Sequence, residues 1–144
     1  MRVVLDTNVW VAAVLWRGAA HRLLEQLEER RAVIAITPHL LRELSVVLHR
    51  PKFASRLIEL RITPQEILAA LAEHTMLFVD VAPPSVPIVR DDPDDDHVIS
   101  CAQAAQAQVI VTGDRHVLRL RRHQDIRILT IAQTMHWLQR LAGQ

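Results

Sequence analysis

Two short apolar runs in this sequence end in a carboxylate with a hydroxyl close by. Val3-Val4-Leu5 runs into Asp6-Thr7-Asn8, and Val109-Ile110-Val111 runs into Thr112-Gly113-Asp114. Between them, Asp91, Asp92, Asp94, Asp95 and Asp96 crowd into one short window, five of the chain's 16 acidic residues. One Asp serves to cap a helix, and carboxylates at a helix N-terminus are favourable. Five exceed that need, and like charges packed this closely repel unless a cation neutralises them. Glu43 is a further candidate. It lies beside Leu40, Leu44 and Val47, at the boundary of a helix's apolar stripe. All-oxygen ligands without a Cys/His set favour a hard cation, Mg²⁺ or Mn²⁺, over zinc. None of the eight histidines forms a pair with ligand spacing, and His39, His49, His74 and His123 read as loop or surface residues. Carboxylates around such a cation suit phosphoryl chemistry. The ion lowers the pKa of a water it holds, orients that water and stabilises charge on the phosphate. Thr7, Asn8 and Thr112 can orient a carboxylate or water there, or cap the helices that follow.

These residues need a scaffold that brings strand ends together. Arg2 to Leu5 and Ala32 to Ile36 read as buried strands, and so do Thr75 to Val81, Val109 to Val111 and Ile126 to Leu129. Helical spacing covers Asn8 to Trp16, Ala19 to Arg31, Lys52 to Leu60 and Val98 to Ala107, with a turn or two over His116 to Leu120 and a closing helix from Thr130 to Leu141. Thr37-Pro38 and Thr63-Pro64 each pair an N-cap with a proline at the first helical position, opening helices to about His49 and His74. Thr63 with Glu66 also fits a capping box. Pro83, Pro84 and Pro87 mark a stiff connection. Strands that alternate with helices predict an α/β fold of three layers, a central, mainly parallel sheet of about five strands flanked by helices. In such a sheet, parallel neighbours deliver Asp6 and Asp114 to one edge, where sites of open α/β folds are built. The helix after the acidic window starts near the same edge, which brings Asp95 and Asp96 toward it.

At 144 residues, half of them hydrophobic, the chain is read as one domain, 1–144, with a substantial core. The net charge of +1 excludes nothing, but the basic side is nearly all arginine, with Lys52 the one lysine. Arginine suits bidentate phosphate contacts. The single cysteine, Cys101, excludes an internal disulfide framework, fits a reducing compartment and reads as a core residue. No apolar run reaches membrane-spanning length, and the first residues read as a strand rather than a signal peptide, so a cytoplasmic protein is expected.

Nearly end to end, the chain resembles the PIN-domain ribonucleases, and among them the VapC-like toxins of toxin–antitoxin pairs. The likeness is carried by Val3-Val4-Leu5-Asp6-Thr7-Asn8-Val9, Ile36-Thr37-Pro38 and Leu41-Arg42-Glu43-Leu44. It continues through Val47-Leu48-His49-Arg50-Pro51-Lys52-Phe53, the stretch from Arg90 to Asp96, and Val109-Ile110-Val111-Thr112-Gly113-Asp114. The resemblance implies an acidic quartet that binds Mg²⁺ or Mn²⁺ and cleaves RNA. By matching, Asp6 is the first ligand, Glu43 the second and Asp114 the last. The third falls on Asp96 by spacing from Asp114, or on Asp95, with Asp92 nearby. Asn8 and Thr112 match as supporting polar residues. The same likeness implies an antitoxin partner and a homodimer. Arg17, Arg50, Lys52, Arg90, Arg115 and Arg119 are candidates for holding RNA phosphates. The chain has no tyrosine, which disfavours recognition on aromatic platforms, and Trp10 and Trp16 read as core or interface.

The sequence argues against two other α/β functions. A phosphoacceptor receiver domain needs a lysine beyond its last strands, and none follows Lys52. A haloacid-dehalogenase-type phosphatase needs an Asp two residues after Asp6, where Asn8 stands. The remaining rival is a catalytically silent binding module that keeps the fold and acts through an antitoxin or self-association.

Overall fold

Alternation along the strands divides the core in two. The computed structural model describes residues 1–75 and 96–143, the side chain of Asp96 excepted. Strand β1 (Arg2–Leu5) leads into α1 (Thr7–Leu15) and α2 (Ala19–Glu29). Next come β2 (Val33–Ala35), α3 (Pro38–Leu48), a 3₁₀ turn (Pro51–Phe53), α4 (Ala54–Leu60) and α5 (Pro64–His74). The later part holds α6 (Asp96–Ala105), β3 (Val109–Val111), α7 (Arg115–Leu118), β4 (Arg122–His123), β5 (Ile126–Leu129) and α8 (Ile131–Ala142).

The described strands form one sheet in the order β2-β1-β3-β5-β4. β1, β2, β3 and β5 are parallel, and β4 alone runs antiparallel, against β5. Val3, Leu5, Val109 and Val111 pack on one face with α1, α2, α3, α5 and Leu138 of α8. Val4, Ile110 and Ile128 pack on the other with Val98, Ile99 and Ala102 of α6 and Val117 of α7. This is the expected three-layer arrangement. Strands buried on both faces need continuous apolar runs, and Val-Val-Leu and Val-Ile-Val supply them. Burying each such side chain is worth about 1.5–3 kcal/mol relative to exposure.

The proline-marked caps form where the spacing predicts. Thr37 Oγ1 accepts from the Leu40 N–H at 3.2 Å and Thr63 Oγ1 from the Glu66 N–H at 3.1 Å. At Thr63 the box closes differently from the expected one. Its hydroxyl donates to the Glu66 carboxylate at 3.1 Å. The fully reciprocal box belongs to α8, where Thr130 and Gln133 each accept from the other's backbone N–H. The region read as one helix from Lys52 to Leu60 starts as the 3₁₀ turn before α4. Of the strand expected over 75–81 only Thr75 is described, as the buried C-cap of α5 with its hydroxyl donating to the Leu71 carbonyl at 2.8 Å; residues 76–81 and the proline-rich connection lie outside the described residues. β4 was not expected. Two residues are too short to show a period, and a turn at Gln124, with φ of 54°, folds them back on β5.

Candidate active site

The parallel pairing of β1 with β3 builds this site. Leu5 lies opposite Val111, and the Asp6 N–H donates to the Val111 carbonyl at 3.0 Å, so the two chains stay side by side as both strands end. Each then turns into a helix capped by a carboxylate. Asp6 is the N-cap of α1, its Oδ1 accepting from the Thr7 N–H at 2.7 Å. Asp114 is the N-cap of α7, its Oδ1 accepting from the His116 N–H at 2.8 Å.

Thr112 joins the two. Its hydroxyl, fully buried, donates to Asp6 Oδ2 at 2.7 Å and accepts from the Asp114 N–H at 3.0 Å. Asp6 is 8% exposed, so this carboxylate sits at the mouth of the core rather than in bulk water. Each of its oxygens accepts one of these bonds. Thr7 is buried behind it, while Asn8 is exposed on the first turn of α1.

Glu43 is exposed on α3, between the buried Leu40 and Leu44, and so lies further toward solvent than the stripe boundary read from the sequence. One turn earlier, His39 stacks on His97 of α6, ring centroids 3.5 Å apart and planes 14° from parallel. The contact ties the first turn of α3 to the first turn of α6. Both rings are half-buried, so His39 is not the surface residue read from the sequence. A lone His has no helical period to reveal that. His123 likewise is half-buried and meets the Gln103 amide at 2.9 Å.

Asp96 opens α6, but its side chain, like Asp92, Asp95 and Arg90 as a whole, lies outside the described residues. Among the described residues, no group of three or more His, Cys, Asp or Glu side chains is close enough to hold one metal ion. Asp6 and Asp114 are brought to one edge without forming a cage by themselves. The donor chemistry fits a hard cation, since carboxylate and hydroxyl oxygens gather there and no thiolate does. On α6, the buried Ser100 hydroxyl has no hydrogen-bond partner. Cys101 is also buried, and burial pushes its thiol from an ordinary 9.0 up to about 12. It is a core residue and not a nucleophile.

Of the arginines named from sequence, Arg115 and Arg119 are exposed on and just after α7, beside Asp114, and Arg17 is exposed between α1 and α2. Arg50 precedes the 3₁₀ turn and Lys52 lies within it. There Trp16 packs edge-on to Phe53 at 6.0 Å, with Lys52 Nζ 5.0 Å from the Phe53 ring and Arg56 5.8 Å from Trp16. Trp10 is core as read, but Trp16 is 43% exposed. It caps the end of α1, where apolar spacing no longer implies burial.

The family model for the PIN domain matches residues 2–116, a span that holds both strand ends, Glu43 and Asp114. The chain belongs to the PIN domain family. The PIN fold also appears in a solved structure, the crystal structure of VapBC2 from Rickettsia felis bound to a DNA fragment from their promoter. A chain of it superposes with a TM-score of 0.60 and 19% identity, over 90% of this chain and 98% of that one. No curated protein matches. At that identity the likeness is one of fold.

Proposed function

We propose that this PIN domain protein is a metal-dependent endoribonuclease, the VapC-like toxin of a toxin–antitoxin pair. Membership in the PIN family supports a nuclease. The observation that carries the reading is the Thr112 hydroxyl, hydrogen-bonded at once to the Asp6 carboxylate and to the backbone of Asp114. A bridge of this kind fixes two carboxylates relative to each other, as supporting hydrogen bonds do around metal ligands.

In this reading Asp6, Glu43 and Asp114 hold Mg²⁺ or Mn²⁺, with Asp96 or Asp95 completing the set. The ion supplies an activated water and charge neutralisation at the phosphate. The chain contributes orientation. Thr112 and the Thr7 N–H hold the Asp6 carboxylate in one rotamer, and the His116 N–H holds Asp114. Asn8 and Asp92 support them, and Arg17, Arg50, Lys52, Arg90, Arg115 and Arg119 engage RNA phosphates. A protein antitoxin and a second copy of the chain are the proposed partners. Among the described residues no helix is long and apolar enough to cross a membrane, and we place the protein in the cytoplasm.

The silent binding module, which keeps the fold and acts through an antitoxin or a second copy, is the second reading. One experiment separates them. The purified protein is incubated with labelled RNA or DNA in Mn²⁺, Mg²⁺ or EDTA, beside Asp6→Asn. Cleavage of RNA that needs metal and is lost in the variant is expected. Absence of both cleavage and calorimetric metal binding establishes the silent module instead.

A further inference from the structure

A groove of about 480 Å³ lies beside the Thr112-Gly113 segment that follows β3. Its lining includes Thr112, Gly113, Arg22, Ile131, Ala132 and Met135. One wall is thus the Thr112-Gly113 segment that links Asp6 to Asp114, and the others come from the first turns of α2 and α8. The volume falls in the roughly 300–1,000 Å³ range of small-molecule sites. The groove is largely apolar, and its one charged residue is Arg22, exposed and making no ion pair or side-chain hydrogen bond among the described residues. Gly113 turns no side chain into it. A Cβ there would meet nothing within 4 Å, so the space beside the glycine is open.

We infer that this groove holds one nucleotide of the RNA, next to the phosphate that is cut. The inference rests on the nuclease reading and adds a subsite to it. The base lies against Ile131, Ala132 and Met135, where an apolar wall accepts any base face. The neighbouring phosphate meets Arg22, whose planar fork suits a phosphate. Continuity with Thr112 sets the register, since a nucleotide seated here has its phosphate beside Asp6 and Asp114. Arg22 lies outside the cation set read from the sequence. It is exposed on α2, and the fold brings it beside the segment that follows β3.

The test uses the full chain and a labelled single-stranded RNA hexamer of mixed sequence, in EDTA at several salt concentrations for binding, where it is not cut, and in Mg²⁺ for cleavage. Occupancy is read from the Met135 methyl resonance, one of three methionine signals in the protein. In the wild type, RNA shifts the Met135 methyl. Arg22→Gln weakens binding about tenfold and makes the log–log salt dependence shallower by about 0.7, the value expected when one fewer phosphate is neutralised on a single strand. Ala132→Trp, at an exposed position, fills the groove and weakens binding while leaving the salt slope unchanged. Unaltered melting temperatures for both variants exclude misfolding. An unmoved Met135 with RNA still cleaved overturns the subsite and leaves the nuclease standing. The same overturning result follows if the groove serves a protein partner. Neither RNA binding nor cleavage in the wild type overturns both.

Discussion

Thr112 is the residue on which the two carboxylates depend, and its loss has two separable effects. Thr112→Val keeps the shape but removes the two hydrogen bonds that Thr112 makes to Asp6 Oδ2 and the Asp114 N–H. Unpaired buried polar groups cost about 1–3 kcal/mol, to be read from chemical denaturation. RNA cleavage should fall roughly 10- to 100-fold, the usual cost of losing a group that orients a metal ligand, and Thr112→Ser should restore most of both. Asp6 also has two roles, as the cap of α1 and as a proposed ligand. Asn caps a helix as well as Asp does. Asp6→Asn should therefore leave the melting temperature nearly unchanged while cleavage falls on the order of 10³-fold, corresponding to several kcal/mol of lost charge stabilisation. Asp6→Ala should lose cleavage and also about 1 kcal/mol of stability. Equal melting temperatures for the Asn and Ala variants would mean that the cap contributes nothing.

The helix starts marked by a cap and a proline were legible in this sequence, and the ends of α2 and α6 were not. Thr37-Pro38 and Thr63-Pro64 announce α3 and α5 with a cap and a ring that cannot donate, and both helices begin there. The apolar runs at Val3 and Val109 likewise found β1 and β3, and with them the shared edge for Asp6 and Asp114. The readings of α2 and α6 overran by two residues, to Arg31 and Ala107. A left-handed residue that is not glycine closes each. Arg31 and Gln106 have φ of 55° and 53°, and the next N–H reaches back to Leu27 or Ala102 at 2.9 Å. Arg61 ends α4 in the same way. Without glycine at these positions, the stop signal is missing from the sequence although the stop is present in the structure. Glu43 and the His39–His97 stack were only partly legible because the packing of α3 against α6 is a long-range event. Strain at these caps is relievable. Gln106→Gly should raise stability by about 0.5–1 kcal/mol, the left-handed penalty less the added freedom of the unfolded chain. A lowered melting temperature for Gln106→Gly would show that the Gln side chain makes an offsetting contact.

The molecule as a whole places its one thiol deep in the layer between α6 and the sheet. Folded Cys101 holds its proton up to about 12, and an ordinary thiol, as in the unfolded chain, up to 9.0. The folded state therefore binds the extra proton between these values, and stability is fully present below pH 9 and declines as pH rises through this window. Alkylation should track unfolding. At pH 8 iodoacetamide should leave the native protein unlabelled and label it fully in denaturant, as mass spectrometry would show. Rapid native labelling would place Cys101 at the surface. The layer itself is tightly filled, and Ile110→Ala, fully buried in β3, should cost about 2–5 kcal/mol, again measured by denaturation.

The short antiparallel strand β4 has a consequence for how these molecules meet. A sheet whose last strand is long and parallel offers a row of free N–H and C=O groups to any extended chain, including another copy of itself. On this side the sheet finishes in two residues, with Arg122 standing opposite Arg127 across the ladder. Two guanidinium groups set side by side repel an incoming strand that carries the same pair. Fibril growth and shoulder-to-shoulder stacking through this edge are therefore disfavoured at high concentration.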